Sequence, residues 1–240
     1  MNRIYFGDTR DLFKFDLVRH IMKSLPKLAC FTFVPMLTAN GTTKGGRKNS
    51  RQDMDKAKKA GKAGSQNRDL AWNLERLQEI ENDLEYFSGI KAYFQKEHIL
   101  IDILDEPQFT HTTRDRYFQN LFDNFPTRSL IFLDPDTGLE ESNPTEKHLL
   151  LSEVKKIYDR MDARSIMMIY QHFPRQPHNG YIVRRNRQLL DVTGTAPVTI
   201  TDNEIVFFLI VKNEDFRSRL EQVVENYANC YPALDSCACV

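Results

Sequence analysis

Residues 129–133 (SLIFL) and 165–170 (SIMMIY) carry no charge, and charged or turn-forming residues bound each run. Stretches this short and this apolar fold as strands covered on both faces, so helices must lie on either side of the sheet that holds them. The rest of the chain supplies those helices. Residues 11–25 place Leu12, Phe13, Leu17, Val18, Ile21, Met22 and Leu25 at helical spacing, with Asp8 or Thr9 as N-cap and Pro26 as a stop. Residues 28–37 then read as a buried strand, with Pro35 weakening its second half.

Residues 69–95 predict two helices broken near Ser88 and Gly89, with Leu70, Leu74, Leu77, Ile80, Leu84 and Phe87 on one stripe. Further strands are expected at 99–104, 197–201 and 204–211. Asp202 and Asn203 join the last two as a hairpin turn. Helices are expected at 113–125, 146–161, 181–190 and 217–227. Short strands alternating with amphipathic helices predict an α/β fold, a three-layer sandwich whose mostly parallel, Rossmann-like sheet ends in a C-terminal antiparallel hairpin. One domain is expected over residues 1–240, with residues 44–96 as a basic loop plus helical insertion.

The 33 basic and 33 acidic residues cancel, which excludes a uniformly basic coat. The cancellation is not local. Residues 44–62 hold eight basic side chains against two acidic ones, a local charge of +6, and few apolar residues. That composition predicts a mobile loop or a lone exposed helix. No apolar stretch approaches the roughly 20 residues that a membrane span needs, and the first residues lack the apolar core of an export signal. The four cysteines, Cys30, Cys230, Cys237 and Cys239, do not form paired metal-binding clusters. Reduced thiols and a cytoplasmic location are the expectation.

Ligands of open α/β sheets bind beyond the carboxyl ends of the strands. Those ends are informative here. Residues 129–133 run into Asp134, Pro135, Asp136, Thr137, Gly138, Leu139 and Glu140; residues 165–170 run into Gln171, His172, Phe173, Pro174 and Arg175. Residues 99–104 run into Asp105 and Glu106, and residues 28–37 into a glycine-bearing loop containing Asn40 and Gly41. Three acidic residues within seven crowd like charges together, and a cation, ligand or hydrogen-bond donor must offset them.

The segment Gly7-Asp8-Thr9-Arg10-Asp11-Leu12-Phe13-Lys14 resembles the Gly-Asn-x-x-Asp-x-x-Lys opening of the bacterial 23S ribosomal RNA adenine-N6 methyltransferases. Asp134-Pro135 resembles that family's Asp-Pro-Pro-Tyr motif, and His172-Phe173-Pro174 its Trp-Tyr-Pro. Asp105 and Glu106 fall where its third-strand acidic residues approach the cofactor adenine. The fuller set of motifs is also similar to a bacterial and phage-associated family to which no activity attaches. Identity is confined to these short stretches. Asp136 stands where the methyltransferase pattern has its second Pro and Thr137 where it has Tyr; Phe173 and Tyr170 are the nearby aromatics that could replace the latter. A clear second strand ending in an acidic residue is missing, its place being taken by the helices of residues 69–95.

The resemblance implies a class I methyltransferase-like sheet and S-adenosylmethionine as cofactor, held by Lys14, Asn40, Gly41, Asp105 and Glu106. A methyltransferase reading makes Asp134, Asp136 and His172 catalytic on a nucleobase amine and RNA or DNA the partner; the local positive charge then makes Lys44, Arg47, Lys48 and Arg51, with Arg175, the expected phosphate contacts. The residues themselves leave two alternatives. Asp134, Asp136 and Glu140 could instead hold Mg²⁺ or Mn²⁺ for a hydrolase or nuclease, with His172 carrying a proton. The chain could also be a non-catalytic binding scaffold.

Overall fold

Leu130 and Phe132 face one side of their strand, and Ile131 and Leu133 the other, so a single uncharged run feeds two separate cores. This two-residue alternation, repeated in neighbouring strands, separates a central sheet from the helical layers on its two faces. The protein, described from a computed structural model over residues 1–38, 50–80, 82–104 and 109–237, is a mixed α/β structure built on that sheet.

A 3-10 turn at Arg3–Tyr5 leads into α1 (Thr9–Ser24) and β1 (Cys30–Pro35). Helices α2 (Ser50–Lys59), α3 (Arg68–Leu77) and α4 (Asp83–Lys96) precede β2 (Ile101–Ile103). Then come α5 (Arg114–Asp123), β3 (Ser129–Asp134), the two-residue strands β4 (Gly138–Leu139) and β5 (His148–Leu149), and α6 (Leu151–Arg160). The chain continues through β6 (Ile166–His172), α7 (His178–Thr193), β7 (Val198–Thr201), β8 (Ile205–Ile210), α8 (Glu214–Ala228) and β9 (Asp235–Cys237).

The main sheet has the order β2-β1-β3-β6-β8-β7-β9. The pairings from β2 through β6 are parallel, and those of β8 with β6, β7 with β8 and β9 with β7 are antiparallel. The sheet is thus evenly mixed, where the sequence predicted mostly parallel pairing. β9 accounts for the difference together with β8, which inserts between β6 and β7. Helices α1, α3, α4 and α8 bury their apolar residues in one core, with Phe13 edge-on to Phe207 at 4.9 Å; α5, α6 and α7 bury theirs in the other. The strand order reverses at β1, because β2 lies on one side of it and β3 on the other. The two ends that meet there, Pro35 and Asp134, are partners in register. Among the described residues, no helix is long and apolar enough to cross a membrane.

Several local expectations require correction. The break expected at Ser88 and Gly89 lies instead between Leu77 and Asp83, where the Asn82 side chain accepts from the backbone of Leu84 and Glu85 and starts a new helix. Gly89 sits inside α4 because a Cβ there would collide with the Leu77 side chain, so it permits close packing of α3 on α4. Leu84, placed on the buried stripe, is 59% exposed. The helix expected from 146 begins at Leu151, since β5 pairs with β4 and the Glu153 carboxylate accepts from the Leu150 backbone at 2.8 Å. Part of the basic segment is neither a loop nor a lone helix: α2 buries Met54 and Ala57. Finally, β2 is the direct neighbour of β1 and the sheet edge, so residues 99–104 do not occupy a third-strand position.

Candidate functional site

Three segments distant in sequence converge where the strand order reverses. The first is the start of α1. Gly7 adopts φ +72°, and a Cβ there would lie 2.6 Å from the Leu74 carbonyl oxygen. That turn lets Asp8 cap the helix, its carboxylate accepting from the amides of Arg10 at 2.8 Å and Asp11 at 3.1 Å. The helix then carries Asp11 and Lys14, three residues apart, on the face towards the sheet. Asp11 is fixed from two sides, because Gly7 N donates to its Oδ2 at 2.9 Å and the Tyr86 hydroxyl at 2.8 Å.

The second is the end of β3. Lys14 Nζ donates to Asp134 Oδ2 at 3.0 Å and to Asp11 Oδ1 at 3.1 Å, and lies 4.4 Å from the centre of the Tyr170 ring. Both partners are buried, Asp134 completely. Burial opposes charge on Lys14, yet Asp134 and Asp11 together hold its ammonium well above its ordinary value. Burial pushes the Asp134 carboxyl up, with Lys14 opposing. The second oxygen, Asp134 Oδ1, is buried and has no hydrogen-bond partner. Asp136 is better provided for: Thr38 Oγ1 donates to its Oδ2, and Lys147 Nζ lies 3.3 Å from that same atom. The α-amino group of Met1, pushed down to about 5 by burial, crosses the strand ends and donates to the carbonyls of Met36 and Asp134, each at 2.9 Å.

The third is the end of β6, which presents Tyr170 and His172. Burial and then the nearby Arg10 push the His172 imidazole down, so it is neutral at pH 7, and its buried Nδ1 has no partner. The loop after Asp134 is clamped against this strand. Gln171 Oε1 accepts from Leu139 N at 2.8 Å, while its Nε2 donates to the carbonyls of Thr137 and His172. Gly138, at φ +133°, is required because a Cβ would run into that same Gln171 amide. From α7 the buried Arg185 donates to the carbonyls of Leu139 at 3.2 Å and Glu140 at 2.8 Å. The sequence DPDTGLE therefore forms a rigid rim.

Together these segments enclose a polar cavity of about 270 Å³. Of the residues singled out from sequence, Lys14, Asp134, Asp136 and His172 all line it. Glu140 does not: its amide donates to Leu149 and its carbonyl accepts from Arg185, and its residue lies off the cavity. Arg175 is exposed and also lies off the cavity. Of the two aromatics considered, Tyr170 lines the cavity, whereas Phe173 is buried in a stack on His178 with ring centres 3.9 Å apart. Asn40, Gly41, Lys44, Arg47, Lys48, Asp105 and Glu106 lie outside the described residues, as does the side chain of Arg51. Among the described residues, no group of three His, Cys, Asp or Glu side chains is placed to hold a metal ion.

Residues absent from the sequence reading also matter. Asp11 lies within the quoted opening motif, and its three-residue offset from Lys14 was the available signal. Tyr86 and Lys147 gave none, since only the fold brings them near.

The fold and site define a mixed α/β protein with a polar cavity at a strand-order reversal, built around a buried lysine between two carboxylates. No protein-family model matches the chain. A search of curated proteins found no significantly similar sequence.

Proposed function

We propose that the protein is a class I methyltransferase-like enzyme that uses S-adenosylmethionine to methylate an amine of a nucleobase. The observation that carries this reading is Asp134 Oδ1, a buried acceptor without a partner on a residue that lines the cavity. An unsatisfied buried carboxylate oxygen costs free energy until an N–H or O–H meets it. An aromatic amine supplies such a donor. The reading is supported more coarsely by a mixed α/β sheet with its cavity at the strand-order reversal, where ligands of open α/β sheets bind.

In this reading Asp134 Oδ1 accepts from the amine N–H and aims its lone pair. Lys14 keeps the carboxylate in one orientation and Asp11 keeps Lys14 there. Tyr170 lines the cavity and would be the aromatic side chain beside the base. His172, neutral and with an unpartnered nitrogen, is the acceptor available for the released proton. Lys14 and the residues after β1 would hold the cofactor, which supplies an electrophilic methyl group. The metal-dependent alternative has less support, because Glu140 stands off the cavity and the Lys14 ammonium already lies between Asp11 and Asp134.

Calorimetry with S-adenosylmethionine and with its demethylated product tests this. Saturable binding in the micromolar range is expected, together with methyl transfer that falls at least ~100-fold in Asp134→Asn while cofactor binding persists. Absence of binding by both compounds would overturn the reading.

A further inference from the structure

Besides Asp11 and Lys14, helix α1 buries a third charged side chain, Asp16, which is 5% exposed. Neutral donors from two other parts of the chain hold its carboxylate. Asn67 Nδ2 donates to Oδ1 at 2.7 Å, and the hydroxyls of Tyr227 and Tyr231 donate to Oδ2 at 2.9 and 3.1 Å. Asn67 is fixed in turn, because its own Oδ1 accepts from Leu70 N and caps α3. Among the described residues, no lysine or arginine pairs with Asp16. Arg19, three residues on, pairs with Glu97 at 2.7 Å instead. Asp16 lines a second cavity, of about 450 Å³, bounded by α1, the start of α3 and the end of α8. Its other carboxylates are neutralised, Glu97 by Arg19 and Asp69 by Lys96 at 2.9 Å. Arg68, the remaining cation of the lining, is exposed and pairs with none of them. His20, one turn beyond Asp16, lines the same cavity, its ring centre 5.1 Å from that of Tyr227. Burial pushes its imidazole down against the Val223 carbonyl and Asp16, so it is neutral at pH 7. A carbonyl takes only an N–H, so the other ring nitrogen is left as an acceptor.

We propose that this second cavity binds a small organic ammonium ion, whose N–H groups donate to the Asp16 carboxylate and to the His20 imidazole. The inference goes beyond the methyltransferase reading and does not rest on it. A buried charge is ordinarily paired, and Asp16 has hydrogen bonds but no counter-ion. A carboxylate accepts at about four positions, and the three donors to Asp16 leave one open. That position and the free imidazole nitrogen sit four residues apart on α1, adjacent on one helix face. An ammonium group meets both acceptors and supplies the missing positive charge. A neutral donor would supply only the hydrogen bonds. A metal ion needs several oxygen ligands, whereas Asn67 and both tyrosine hydroxyls are committed to Asp16. The volume falls within the range of small-molecule sites.

The test is titration of the ¹⁵N-labelled protein, followed by NMR at constant ionic strength, with butylammonium, butyltrimethylammonium and butyrate. Butylammonium is expected to give saturable shifts at the amides of Asn67 and Tyr231. Butyltrimethylammonium keeps the charge but has no N–H, and should bind at least ~10-fold more weakly. Butyrate should not bind. Asp16→Asn should abolish butylammonium binding. His20→Phe keeps a ring against Tyr227 and removes the nitrogen, so it should weaken binding by about 10-fold with little change in melting temperature. That second variant decides the matter if Asp16→Asn does not fold. Overturning results are no butylammonium binding, equal binding of the quaternary ion, or unaltered affinity in a folded His20→Phe. Shifts confined to residues of the first cavity, where carboxylates also gather, would overturn the assignment as well.

Discussion

The ammonium of Lys14 and the carboxylate of Asp134 meet at 3.0 Å although 120 residues separate them, and neither side chain is more than 7% exposed. Removing one partner of a buried pair leaves the other charge without compensation, which is far costlier than losing the attraction itself. Lys14→Met would strand two carboxylates, Asp11 and Asp134, and should destabilise the protein by about 3–5 kcal/mol. Asp134→Asn should cost less, since Lys14 retains Asp11 at 3.1 Å. Urea unfolding at pH 7 measures both. A loss below about 1 kcal/mol for Lys14→Met would contradict the arrangement.

Asp8 gives a pH signature of definite sign. Burial, and next the negative charge of Asp11, push its carboxyl from 3.8 up to about 6. Between those values the folded protein binds more proton than the unfolded chain, so this group stabilises most below pH 4, and its contribution is lost as pH rises through 6. Asparagine caps a helix as well as aspartate does. Asp8→Asn should therefore be more stable than the parent at pH 7 by about 1–3 kcal/mol, one pKa unit being worth about 1.4 kcal/mol. The two stability curves should converge towards pH 4. Parallel curves from pH 4 to 7 would show that Asp8 titrates alike in the folded and unfolded states.

Gly138 is the most exacting position of the rim. Alanine there would combine φ +133° with a collision against the Gln171 amide that holds Leu139 and Thr137. The expected loss is about 2–4 kcal/mol, from backbone strain plus overpacking. Gln171→Ala relieves the collision but leaves the buried Leu139 amide without its acceptor, so the two changes should be non-additive in a double-mutant cycle. Simple additivity would mean that Gly138 and Gln171 do not share one constraint.

The elements with self-contained signals were legible in the sequence. The helix 11–25, with Asp8 or Thr9 as its expected cap, is found as Thr9–Ser24 capped by Asp8, and the hairpin 197–211 as β7 and β8, with Asn203 at φ +66° in the turn. These depend on neighbours in the chain. Elements whose stabilising partner is remote were misread. β4 and β5 are two residues each; Gln171 and Arg185 hold Leu139 of β4, and Arg114 donates to the His148 carbonyl of β5. Gly89 imitates a helix break until Leu77 is seen beside it. At the site, Asp134, Asp136, His172 and Lys14 were recoverable because strand ends and a helix start mark them. Tyr86 and Lys147 were not, since no sequence period links residue 86 to Asp11 or 147 to Asp136.

The strand order also bears on how the molecule assembles. β7 and β8 are joined by a tight turn and can pair as soon as both exist, within microseconds for an isolated hairpin. The registers of Cys30 with Ser129 and Phe31 with Ile101 close long loops whose entropy must be met before any contact repays it. The cavity is bounded by these late contacts, with Lys14 on a helix that precedes the sheet and Asp134 at the end of the interior strand β3. Partly assembled chains can therefore hold the hairpin and still lack the cavity. On refolding, burial of the Lys14–Asp134 pair should trail the recovery of secondary structure.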